Sequence, residues 1–108
     1  MSRELIREMK KLLQDGMGAQ ADDGQRQLAM DAALALLERS VRMRHRRLAV
    51  QRLNDAVALG AHVPEEHWAY CREASVASRD TEVQVLFALS EESLRANQAS
   101  QLGGPWHG

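Results

Sequence analysis

One cysteine, two prolines and four aromatic residues are spread over 108 positions. A single cysteine, Cys71, excludes an internal disulfide and a zinc finger of the CxxC type. No stretch approaches 18 apolar residues, and Met1–Leu5 has no apolar signal-peptide core; the expectation is a cytoplasmic protein that does not enter a membrane. Neither sign of charge is in excess. Fourteen Lys and Arg stand against 15 Asp and Glu for a net charge of −1, which excludes nucleic-acid binding by bulk charge alone. Apolar–polar alternation long enough for a strand is missing. So are a glycine-rich phosphate loop, an E-x-x-H di-iron pattern and an H-E-x-x-H zinc pattern. The expectation is a protein that is not an enzyme and carries no cofactor.

What is present is Ala, Leu, Arg, Glu and Gln, all good helix formers. The reading is all-α, with about five short helices in antiparallel hairpins. Residues 1–97 form a single helical domain, of a length that suits one core. Ser2 is a candidate cap for a helix over residues 3–14 that Asp15-Gly16 ends. Asp22 or Asp23 caps a second helix running to about Arg42, whose segment Leu28–Leu37 is so apolar that it belongs at the centre. The stripe breaks at Arg44–Arg47, which predicts a turn or kink; one continuous helix is the rival reading. A third helix ends at Gly60, a suitable residue just past a helix. Pro64, Glu65 and Glu66 open a fourth, and Asp80 caps a fifth with its stripe at Val83, Leu86, Phe87, Ser90 and Leu94. The predicted core includes Leu34, Leu37, Trp68 and Phe87. From Gln98 the apolar period stops, so residues 98–108 read as a disordered tail in which Trp106 could serve as a docking motif.

A shift of 34 residues lays the second and third helices over the fourth and fifth. Ala49, Leu53 and Ala56 fall on Val83, Phe87 and Ser90; Leu36, Leu37 and Ser40 fall on Tyr70, Cys71 and Ala74. This period, with the small-large-small pattern of the second helix, resembles a tetratricopeptide repeat over residues 30–97. Any two helical hairpins of similar length would also align at such an offset. The Trp, Leu-Gly and Tyr of that motif's first helix are absent here, and two units are fewer than the three that normally bury a continuous core, so the first helix would act as a cap. Within that family, Pro64–Cys71 has the Pro-Glu-Trp-Cys order of the small TPR-like co-chaperones of type III secretion needle subunits, with the spacing off by one. The resemblance implies a cytoplasmic protein-binding role and transfers no functional residue.

Charge is unevenly placed. Residues 1–54 carry 11 basic and 7 acidic side chains, residues 55–108 carry 3 and 8. Between 39 and 52 stand Arg39, Arg42, Arg44, Arg46, Arg47 and Arg52, with no acid among them. Guanidinium groups bind carboxylate or phosphate through two points at once. These six arginines and Trp68 are the candidate partner-binding residues. The partner is another protein offering an amphipathic helix to an apolar groove, or an acidic surface to the arginines. The alternative is a nucleic-acid-binding regulator acting through residues 39–52, against which stands the lack of aromatics interleaved with the arginines. The bland reading is a solvated corner paired with the acidic second half.

His62, Glu66, His67 and Cys71 have the chemistry of metal ligands, and His67 with Cys71 is the only nucleophile–base pair. Cys71 lies on the apolar face beside Trp68, in acidic surroundings that oppose a thiolate. Neither a metal site nor catalysis is expected. Met9, Met17, Met30 and Met43 fill a core or form an adaptable groove. The reading is a small adaptor, chaperone or regulator without catalysis.

Overall fold

The computed structural model describes residues 2–103, with side chains to residue 99. Among them are five helices and no strand. α1 spans Arg3–Met17, α2 Asp23–Arg42, α3 Arg46–Ala58, α4 Glu65–Ala77 and α5 Thr81–Gly103. They hold 82% of the described residues, so the fold is all-α as the periodicity predicts.

The helix starts are written locally. Ser2 Oγ accepts from Leu5 N at 3.1 Å. Asp22 Oδ1 accepts from Gln25 N at 2.7 Å while Gln25 Oε1 accepts from Asp22 N at 3.0 Å, a reciprocal pair that satisfies two otherwise unpaired donors. Asp80 Oδ1 accepts from Glu82 N at 2.9 Å at the head of α5. Pro64 sits at the cap position of α4, with Glu65 and Glu66 in the first turn beside the positive end of the helix dipole.

Two ends differ from expectation. Asp15-Gly16 does not stop α1, which continues to Met17 with Gly16 buried. Gly16 is needed there for close approach rather than for a turn: a Cβ on it would overlap the Ala29 side chain and lie 2.6 Å from Gln25 O. At the other end of the chain, α5 runs on to Gly103, through six residues assigned by sequence to the tail. Gln98, Ala99 and Gln101 are good helix formers, and a helix already nucleated propagates without an apolar stripe. Residues 104–108, with the docking motif at Trp106, lie outside the described residues.

Packing follows the small residues of α2. α1 touches α2 alone; α2 also meets α3 and α4; α5 rests mainly on α3 and more lightly on α4. The core holds Leu36, Leu37, Val50, Leu53, Val57, Trp68, Cys71 and Phe87 along with α2's Ala29, Ala32 and Ala33. Leu34, predicted as core, is only partly buried at its edge. Trp68 meets Phe87 edge to face, ring centres 6.0 Å apart. Burial recurs at the 34-residue offset: Leu37 and Cys71, Ser40 and Ala74, Ala49 and Val83, Leu53 and Phe87, and Ala56 and Ser90 are buried in both halves. The fully buried hydroxyls of Ser40 and Ser90 bond within their own helices, Ser40 Oγ donating to Leu36 O at 2.9 Å and Ser90 Oγ to Leu86 O at 2.8 Å. The offset fails at Leu36, which is buried, and Tyr70, which is half-buried and reaches the surface.

Gly16→Ala tests the α1–α2 contact. At an unconstrained helical site the exchange gains up to about 1 kcal/mol. Here the new methyl meets backbone and a fully buried alanine, so the variant should lose about 2 kcal/mol in urea unfolding. A stabilised variant would mean that α1 does not approach α2 at Gly16.

Candidate functional site

The reversal between α2 and α3 organises the arginine segment. The sequence leaves a turn or a continuous helix open there; the structure has a turn. Arg44 N donates to Val41 O at 3.1 Å and His45 N to Ser40 O at 2.9 Å, which closes the last carbonyls of α2. Arg44 itself lies in the left-handed region, φ 58°. The end of α3 has the same hydrogen bonds, from Gly60 N to Val57 O at 2.9 Å and from Ala61 N to Ala56 O at 3.0 Å. There the left-handed residue is Gly60, φ 84°. One construction therefore occurs twice, once with glycine and once with arginine. An L side chain in this region costs about 1 kcal/mol relative to glycine.

A second cost falls next to it. Arg46 and Arg47 occupy the first turn of α3, which has no acid and no side-chain cap, so two cations face the positive end of the helix dipole. Arg47 is compensated from α5, at 2.7 Å from Glu82 and 3.3 Å from Asp80. Arg42 pairs with Glu38 on its own helix at 2.7 Å. Arg52 is largely buried and reaches Asp55 at 3.6 Å, with its Nε buried and unpaired. Arg39, Arg44 and Arg46 have no carboxylate within 4.0 Å among the described residues. The six arginines thus divide: three are held by acids of the fold, two of those from the second half, and three are not. Arg44 and Arg46 are exposed; Arg39 is half-buried.

Arg44 and Arg46 line the middle of a groove along α4, which faces α2 toward one end and the start of α3 toward the other. Its largest part, about 590 Å³, is lined by Val41, Arg42, Arg44, Arg46, Tyr70 and Glu73. It adjoins a cleft that shares Val41 and Arg42 and adds Glu38, Glu66 and His67, and another that shares Arg46, Tyr70 and Glu73 and adds Ala74 and Ala77. Two polar atoms in this lining, Tyr70 Oη and His67 Nδ1, are buried and have no hydrogen-bond partner in the protein. Most buried polar groups find a partner, and two of the three orphans among the described residues lie one turn apart on this part of α4. The sequence marks His67 only as a possible metal ligand or base beside Cys71, and it does not mark Glu73 as part of a groove. Tyr70 is visible only as the aromatic that replaces Leu36 at the 34-residue offset.

The remaining candidates lie elsewhere. Trp68 is 6% exposed and belongs to the core, its edge forming part of a separate cleft of about 340 Å³ with Val63, Leu94 and Asn97. Burial pushes the Cys71 thiol up to about 12, so it stays protonated at neutral pH and is no thiolate nucleophile. Among the described residues no three His, Cys, Asp or Glu side chains come together as a metal site. The methionines do not gather: Met9 is buried and Met30 half-buried, while exposed Met17 and Met43 flank opposite ends of α2, about 30 Å apart by its length. No described helix is long and apolar enough to cross a membrane. Comparison with protein families, characterised proteins and solved structures returns no match.

Asp55 gives a signed prediction. Desolvation raises its carboxyl above the ordinary range, and Arg52 offsets this only in part. The native state therefore holds the proton more tightly than the unfolded chain, and stability falls as pH rises from about 3.8 through the raised value. Asp55 also lies in the last turn of α3, where a negative charge is unfavourable. Asp55→Asn should be up to about 1 kcal/mol more stable than the parent at pH 7, and the gain should shrink to nothing on acidification. Chemical denaturation across that range checks both the sign and the window.

Proposed function

We propose that this protein is a small non-catalytic adaptor, chaperone or regulator that holds a segment of a protein partner in the groove along α4. One observation carries the reading: an open groove with unpaired cations at its middle and, on two of its lining residues, buried polar atoms without a partner. The lining mixes Val41, the Tyr70 ring, Ala74 and Ala77 with charges of both signs, so it suits an amphipathic segment with a polar side better than an apolar helix alone. The protonated thiol of Cys71 supports a non-catalytic role. The resemblance to tetratricopeptide-like co-chaperones agrees in kind, a cytoplasmic helical-hairpin protein that binds another protein, and the burial shared at the 34-residue offset supports it.

Nucleic-acid binding is the second reading, favoured by Arg44 and Arg46. It is the weaker one because Glu38, Glu66 and Glu73 line the same groove and oppose a run of phosphates.

Affinity capture from extracts of the source cell, with and without nuclease, separates the two. A discrete protein should be retained in both conditions. Arg46→Glu with Ala77→Glu should reduce it at least tenfold, whereas Val85→Glu on exposed α5 should not. Loss on nuclease treatment would favour nucleic acid. Indifference to the groove variants would remove the groove from the function.

A further inference from the structure

We propose that Arg44, Arg46 and Tyr70 form a carboxylate-binding corner that receives an isolated Asp or Glu side chain from an otherwise neutral segment of a protein partner. The proposal rests on the groove reading above and adds the chemical identity of one contact.

Three independent features meet here. Arg44 occupies the left-handed position that the matching turn at Gly60 fills with glycine, at a conformational cost that glycine would avoid. Arg46 stands in the first turn of α3 without the acids that Arg47 receives from Asp80 and Glu82. Tyr70 lines the same cleft with its hydroxyl unpartnered and shielded from solvent, so that the donor meets a ligand once the half-buried side chain turns outward. A phenol hydroxyl without an acceptor and two unpaired guanidiniums are all donors. The complement is an acceptor with two oxygens and a negative charge, and a carboxylate supplies both. Glu73 shares the cleft and makes no ion pair within 4.0 Å among the described residues. With Glu66 and Glu38 further along, it limits how much negative charge the groove accepts. An isolated acidic side chain or pair on an otherwise neutral segment fits that pattern, and a continuous phosphodiester chain does not.

The test is an ¹⁵N-resolved NMR titration of the full chain. The probe is an acetylated dodecapeptide of alanine, leucine and glutamine with two adjacent glutamates at one end. Its counterpart has glutamine in place of the pair. The glutamate peptide should shift Arg44, Arg46 and Tyr70 and bind at least tenfold more tightly than the glutamine peptide. Tyr70→Phe keeps the ring and removes the donor; it should weaken the glutamate peptide about tenfold, as loss of a hydrogen bond to a charged group does. Arg44→Gly should also weaken it about tenfold while raising Tm by about 4 °C, the signature of a strained residue kept for binding.

Equal binding of both peptides, no effect of Tyr70→Phe, or displacement of the peptide by a mixed-sequence DNA oligonucleotide would each overturn the proposal. If equal binding came with shifts at His67 and Ala77, the groove reading would stand and the carboxylate corner would fall. If millimolar peptide moved no groove resonance and captured protein ignored the groove variants, both would fall.

Discussion

The reversal at Arg44 is the constraint on which the candidate site depends. α2 ends because one residue turns left-handed, and the two hydrogen bonds closed by that turn send α3 back along α2. The same turn sets Arg44 and Arg46 in the middle of the groove beside Tyr70. A glycine would build this reversal with less strain, as Gly60 does at the end of α3. The fold alone therefore favours glycine at this position, and the proposed site is what would favour the arginine.

Around the turn the architecture is governed by how closely helices approach α2. Ala29 and Ala33 are fully buried, and Gly16 lets the backbone of α1 come against Ala29 and Gln25. α1 has no other helical neighbour, so this approach is what holds it to the fold. On its far side α2 meets α3 and α4, and the α2–α4 seam stays open where half-buried Tyr70 stands in the place that Leu36 fills in the other half. The groove is thus a local failure of the 34-residue correspondence, and the rest of the correspondence builds the core beneath it.

Most of the fold was legible because its signals are local. Ser2, Asp22, Asp80 and Gly60 each act within a few residues, and the 3–4 apolar spacing marks each buried stripe. Gly16 misled because glycine signals both a chain break and a close helix contact; only the neighbouring helix decides between them. The end of α5 misled because an apolar stripe records burial and not helicity, and the helix outruns its stripe. The arginine segment was legible as a cluster, but its division into paired and unpaired members was not. Arg47 finds Asp80 and Glu82 more than 30 residues away, and no spacing rule reports that. Tyr70 was missed, and His67 was weighed only as a metal ligand or base, because an orphaned polar atom is defined by the absence of a neighbour, which a sequence does not record. Trp68 was selected as a large aromatic and lies in the core, the commoner place for one.

The central claim is that the face of α4 carrying Tyr70 meets a protein partner. Photocrosslinking from position 70, with Tyr70 replaced by p-benzoylphenylalanine to preserve an aromatic ring, examines that face in the living source cell. The same group at Val85, on the exposed side of α5, serves as the reference. The account predicts a discrete, nuclease-resistant protein adduct from position 70 and none of matching size from position 85. A nucleic-acid adduct at position 70, or the same protein adducts from both positions, would contradict it.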